Sequence, residues 1–132
     1  MDWEILNRAA RIAANSKDEN KSFFLACIAL RKDGAFVHST NNTIVEHQTP
    51  SAHAEARVLK KAGYGSILWV VRVLKDKKTW AAAAPCDKCR ALIINKGVSR
   101  VYYTIGPMEV GIWDPQSPGQ LSSLGYDKRQ GR

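Results

Sequence analysis

Two apolar runs do most to limit what this chain can fold into. Phe23 to Leu30 contains no polar residue, and Ile67 to Leu74 contains one, Arg72. Each run is too short and too continuously apolar for a surface helix with one wet face. Each reads as a strand buried on both faces, and such strands need helices above and below the sheet. Candidate helices are present. Asp2 can cap one that runs to about Ala14, with Trp3, Leu6, Ala9, Ala10 and Ala13 on one face. A second spans about His53 to Ala62 and is stopped by Gly63; a third spans Cys86 to Lys96 and is stopped by Gly97. Lys32-Asp33-Gly34 is a hairpin signal, so Ala35 to Thr40 is expected to return antiparallel to the first run.

Val101 to Ile105 forms a further strand. Gly106-Pro107 then breaks the chain, and Met108 to Trp113 can pair back on it. Lys75 to Ala84 reads either as a loop or as a bulged continuation of the preceding strand. The order α-β-β-α-β-α-β predicts a three-layer α/β/α sandwich around a mixed sheet of about five strands. The 132 residues fit one domain, with a loosely structured tail expected from about residue 114.

Composition narrows the setting. No apolar run is long enough to span a bilayer, so no membrane partner is expected. Met1-Asp2-Trp3-Glu4 lacks the basic and then apolar order of a signal peptide. The cysteine count is three, which does not suit a disulfide framework. A reducing, cytoplasmic location is the expectation. Cys27 lies within the first apolar run and reads as a small buried hydrophobe. The net charge of +8 suggests an anionic partner, a nucleotide phosphate or a nucleic-acid backbone. The charge is spread, however, over Lys75, Lys77 and Lys78, a tail with Lys128, Arg129 and Arg132, and a helix face with Arg57, Lys60 and Lys61 that reads as solvated.

The chemistry sits in two short motifs, His53-Ala54-Glu55 and Pro85-Cys86-Asp87-Lys88-Cys89. One imidazole and two thiolates can hold a zinc ion at three tetrahedral corners and leave the fourth for water. Glu55 is then not needed as a ligand and is available to carry protons. Cys86 and Cys89, three apart, share a face at the start of the third helix, followed by Leu92 and Ile93. Val58, Leu59 and Ala62 follow Glu55 at helical spacing, so Glu55 is expected to point inward. Two helix N-termini should meet at the ion, where their dipoles favour thiolates. A purely structural zinc site would need a fourth protein ligand, for which His38, His47 and Cys27 are the candidates. A redox Cys-x-x-Cys pair would leave His53 and Glu55 without a role.

Together the two motifs match the His-x-Glu and Pro-Cys-x-x-Cys signature of zinc-dependent nucleobase deaminases. The chain resembles the cytidine/deoxycytidylate deaminase superfamily over about Phe23 to Tyr103, and its first helix also fits. The resemblance implies one zinc on His53, Cys86 and Cys89, with Glu55 as the catalytic proton carrier. It implies substrate contacts at Asn42, which lies 11 residues before His53, and at the backbone of Ala54 and Ala84. Ala84 departs from the Ser or Glu usual before Pro-Cys, so only a backbone contact can survive there. Ala26 or Cys27 is a candidate floor for the base pocket.

Histidine at position 53 does not by itself select a substrate within the superfamily. The C-terminus says more: 27 residues follow Ile105 and are interrupted by Pro107, Gly111, Pro115, Pro118 and Gly119. A long helix is not expected there. A direct hairpin instead resembles the free-nucleoside branch and favours a small nucleoside or nucleotide. Trp80 beside the Lys75–Lys78 cluster is the candidate contact for the alternative, a base within single-stranded DNA or RNA. A non-catalytic, zinc-bearing subunit that binds nucleic acid is a further alternative, against which the intact Glu55 argues. The family resemblance also implies a homo-oligomer.

Overall fold

The computed structural model describes residues 2–15, 24–41 and 54–116. Their elements are α1 (Asp2–Ala14), β1 (Phe24–Leu30), β2 (Phe36–Thr40), α2 (Ala54–Ala62), β3 (Ile67–Val73), β4 (Trp80–Ala81), α3 (Asp87–Asn95), β5 (Arg100–Gly106) and β6 (Glu109–Trp113). The sheet order is β2-β1-β3-β5-β6, with β4 paired to β3 off that path. β1 runs antiparallel to β2 and β3, β3 and β5 are parallel, and β5 and β6 form an antiparallel hairpin. The sheet is therefore mixed, as expected, with one short strand more than the five counted from the sequence.

The apolar strands divide their side chains between two cores because successive residues point to opposite faces. Phe24, Ala26 and Ile28 of β1 join Trp69, Val71 and Val73 of β3 against Leu6, Ala9 and Ala13 of α1. Leu25, Cys27 and Ala29 join Leu68 and Val70 against Val58, Leu59 and Ala62 of α2 and Ile93 of α3. One helix thus covers one face and two cover the other. The continuous hydrophobicity of β1 and β3 has this double burial as its physical cause.

The turns follow their local chemistry. Gly34 has φ +92° and donates its N–H to the Arg31 carbonyl at 2.9 Å, closing the β1–β2 hairpin. Gly97 ends α3 at φ +67°, and the Val98 N–H reaches back to the Ile93 carbonyl at 3.3 Å. Lys75 to Ala84 becomes a tight turn and then β4. The Asp76 carboxylate accepts from the Lys78 and Thr79 N–H groups at 2.8 and 2.9 Å.

The described chain ends at residue 116, and most of the expected tail lies outside the described residues. Asp114 pairs with Arg100 at 2.8 Å, Pro115 is buried, and the Gln116 amide donates to the carbonyls of Ile94 and Val98, both at 3.2 Å. Gln116 thus supplies a donor to carbonyls at the C-terminal end of α3.

Candidate active site

β3 and β5 pair directly only from Ile67 to Val70 against Arg100 to Tyr103. Beyond that point they part, and β4 with the residues after it fills the gap. Ala81 pairs with Arg72 of β3, and the Ala83 N–H donates to the Thr104 carbonyl of β5 at 2.9 Å. The Thr104 hydroxyl is fully buried and serves both sides. It accepts the Arg72 N–H at 3.3 Å and donates to the Ala81 carbonyl at 2.7 Å. This split in the sheet carries the chain through Ala83, Ala84 and Pro85 to the start of α3.

Cys86 is the N-cap of α3, extended at φ −70° and ψ 169°, and its side chain makes no capping hydrogen bond. Pro85 therefore precedes the cap instead of occupying the first helical turn. The two cysteines also differ in exposure: Cys86 is exposed, whereas Cys89 is fully buried among the core residues. Arg90 pairs with Asp87 on the outer side of the same turn.

Glu55 stands in the first turn of α2 and is only 4% exposed, inward as its spacing predicted. Burial first, then the Glu55 carboxylate and the Cys86 sulfur, push the Cys89 thiol well above the ordinary thiol range. The same carboxylate and Cys89 act on Cys27, whose thiol is raised chiefly by its complete burial. Cys27 packs in the core against α2 and α3, and the Glu55 carboxylate acts electrostatically on both Cys89 and Cys27. Each influence on Cys89 opposes its thiolate. A cation at this point would reverse that balance, and Cys86 and Cys89, as thiolates, are donors of the type zinc takes. Among the described residues no group of three His, Cys, Asp or Glu side chains forms a metal set. His53, the third expected ligand, lies outside the described residues.

The remaining candidates separate cleanly. Ala54 is buried beside Glu55, and Ala84 packs half-buried against the same core. Asn42 and His47 lie outside the described residues. Asn41, next to Asn42, is buried and has a structural use: its Oδ1 accepts the Leu25 N–H at 3.1 Å. Ala26 belongs to the α1-side core, away from the face that carries Glu55, whereas Cys27 belongs to the core against α2 and α3. Trp80 also packs on the α1 side, stacked on Trp3 at 5.9 Å, and is separated from Glu55 and Cys89 by the sheet. His38 alternates with Val37 and Ser39 on β2 and is exposed; Val37, not His38, packs against the core that holds Cys27. Thr104 and the sheet split were not foreseen. A single threonine in an apolar strand, Val101 to Ile105, is the signal that could have marked them.

Comparisons with known proteins bear on the fold and the family. The model of the cytidine and deoxycytidylate deaminase zinc-binding region matches residues 1–105. The chain belongs to this family. Its fold is similar to that of the cytidine deaminase from Mycobacterium tuberculosis, with a TM-score of 0.55 and 21% identity over 81% of this chain and 89% of that one. The cytidine deaminase from Mycobacterium leprae gives 0.54 and 20%, covering 85% of this chain and 93% of that one. The enzyme from Burkholderia pseudomallei gives 0.55 and 19%, covering 87% and 94%. No curated protein matches in sequence.

Proposed function

We propose that the protein is a zinc-dependent hydrolase that deaminates a cytosine-type base in a free nucleoside or nucleotide. Cytidine, deoxycytidine and their monophosphates are the substrate class, and the products are the uracil compound and ammonia. The observation that carries this reading is the buried Glu55 carboxylate in the first turn of α2, acting electrostatically on the buried Cys89 in the first turn of α3. His53, Cys86 and Cys89 would hold one zinc, whose charge would make a bound water acidic enough to attack. Glu55 would take a proton from the attacking water and deliver it to the ring nitrogen beside the reacting carbon. It then carries a proton to the departing amine, so that one water is consumed and one ammonia leaves. Burial keeps the carboxylate out of bulk water, so the proton stays with the reacting atoms. The backbone of Ala54 and Ala84, and the side chain of Asn42, are the proposed substrate contacts, with Cys27 beneath the base.

A small substrate is favoured by two observations. β5 passes directly into β6 through a short turn, with Gly106 paired to Glu109. Trp80, the side chain best suited to stack on an extended strand, is engaged with Trp3 on the opposite face of the sheet. No helix among the described residues is long and apolar enough to cross a membrane. A cytoplasmic homo-oligomer completes the reading. Phe36 on edge strand β2 and Met108 and Ile112 at edge strand β6 are exposed apolar positions that further copies would cover.

The test is incubation of the zinc-loaded protein with cytosine, cytidine, deoxycytidine, their monophosphates, adenosine, guanine and a cytosine-containing single strand, read by mass spectrometry. An amine-to-carbonyl change in one small cytosine compound is expected. Conversion of the single strand alone would move the assignment to nucleic-acid editing.

A further inference from the structure

Arg57, Lys60 and Lys61 do not form a uniformly solvated helix face. With Ser39 of β2 they line a pocket of about 260 Å³ between α2 and the sheet edge. Three of its four lining side chains are cationic, and none of the three is in an ion pair with another described residue. The Arg57 Nε is buried and has no hydrogen-bond partner among the described residues. Lys61 is held in place, its Nζ donating to the His38 carbonyl at 2.6 Å while its own carbonyl accepts from Arg31 at 3.1 Å. An ammonium has three donors, so Lys61 retains others for a ligand. Ser39 is buried at 6% exposure and brings a hydroxyl to the wall.

The last-turn lysines also offset the carboxyl end of the α2 dipole. That role asks only for positive charge near the helix end. It does not account for a concave site, a hydroxyl wall or a buried Arg57 donor one turn earlier. Three like charges around one cavity repel each other, and a dianion with several acceptor oxygens relieves the repulsion. Glu55 and Arg57 are two residues apart on α2 and so point to different sides of the helix. The pocket is therefore separate from the reaction centre.

We propose that this pocket binds a phosphate group, supplied by a nucleotide. Its capacity for phosphate does not depend on the deaminase reading, whereas the nucleotide as source rests on it. The probe is inorganic phosphate, titrated into the full-length, zinc-loaded protein while the Arg57 Nε–H resonance is followed by NMR. We expect a saturable shift that chloride at matched ionic strength does not reproduce. Lys60→Gln, read by the same resonance, and Arg57→Gln, read by calorimetric titration of phosphate, should each weaken binding at least tenfold; Lys60 is exposed, so its variant stays folded. An unsaturable shift, or unchanged affinity in Lys60→Gln, would overturn the site. Competition then identifies the source. Displacement of phosphate by deoxycytidine monophosphate but not deoxycytidine indicates a free nucleotide. Displacement only by a single-stranded oligonucleotide indicates strand phosphates. Displacement by neither rejects a nucleotide source, and loss of turnover in either variant is not required.

Discussion

The Thr104 hydroxyl donates to the Ala81 carbonyl at 2.7 Å while it accepts the Arg72 N–H at 3.3 Å. One buried side chain thus joins three backbone segments at the point where β3 and β5 separate. Replacing it by valine keeps the shape and removes both bonds, leaving a donor and an acceptor without this partner. Each such loss costs about 1–3 kcal/mol. Thr104→Val should lower the melting temperature and, because the same split leads to Cys86, weaken zinc retention. Calorimetry and metal analysis of dialysed protein check both.

The Cys86 and Cys89 positions differ in burial, and their substitutions should differ accordingly. Cys89→Ser places a poorer metal donor in a fully buried position and should lose zinc and stability together. Cys86→Ser changes an exposed N-cap, where serine is itself a good cap, so zinc should fall while the metal-free fold keeps its stability. Metal content and urea midpoints with and without chelator distinguish the two.

Gly111 sits opposite Tyr103 in the β5–β6 hairpin, and a Cβ there would come within 2.3 Å of the tyrosine ring. Tyr103 is fully buried and cannot swing into solvent. Gly111→Ala should destabilise by about 1–3 kcal/mol through overpacking. A matching fall in the urea midpoint, with an unchanged slope, is the expected result.

Hydrogen bonds from Thr79 and Lys78 hold the Asp76 carboxyl down to about 2. A depressed folded-state pKa means that the turn gains stability above the unfolded value of about 4 and loses it as pH falls toward 2. Asp76→Asn should therefore be less stable than the parent at pH 6, and the gap should close by pH 2. Acid titration of both, followed by tryptophan fluorescence, checks the sign.

Much of this arrangement was legible before any coordinates. Helix and strand positions followed from the apolar runs and their Gly and Asp stops, and the inward aim of Glu55 followed from Val58, Leu59 and Ala62. What the sequence could not reveal has a common cause. In a strand buried on both faces, polarity does not mark which side is which, so Ala26 and Cys27 were indistinguishable until α1 and α2 were seen on opposite faces. Trp80 lies close to the cysteine motif along the chain, yet β4 turns it toward Trp3. Arg57, Lys60 and Lys61 have the composition of a wet helix face. Only their juxtaposition with Ser39 makes a pocket of them.

The most direct test of the central claim pairs metal content with turnover in Glu55→Gln. Glutamine keeps the size of the side chain and cannot shuttle a proton, and general acid–base groups contribute about 10²–10⁴-fold. We expect the variant to retain zinc as the parent does and to lose turnover of the cytosine substrate by at least that factor. Undiminished turnover, or a parent protein that binds no zinc, would contradict the assignment.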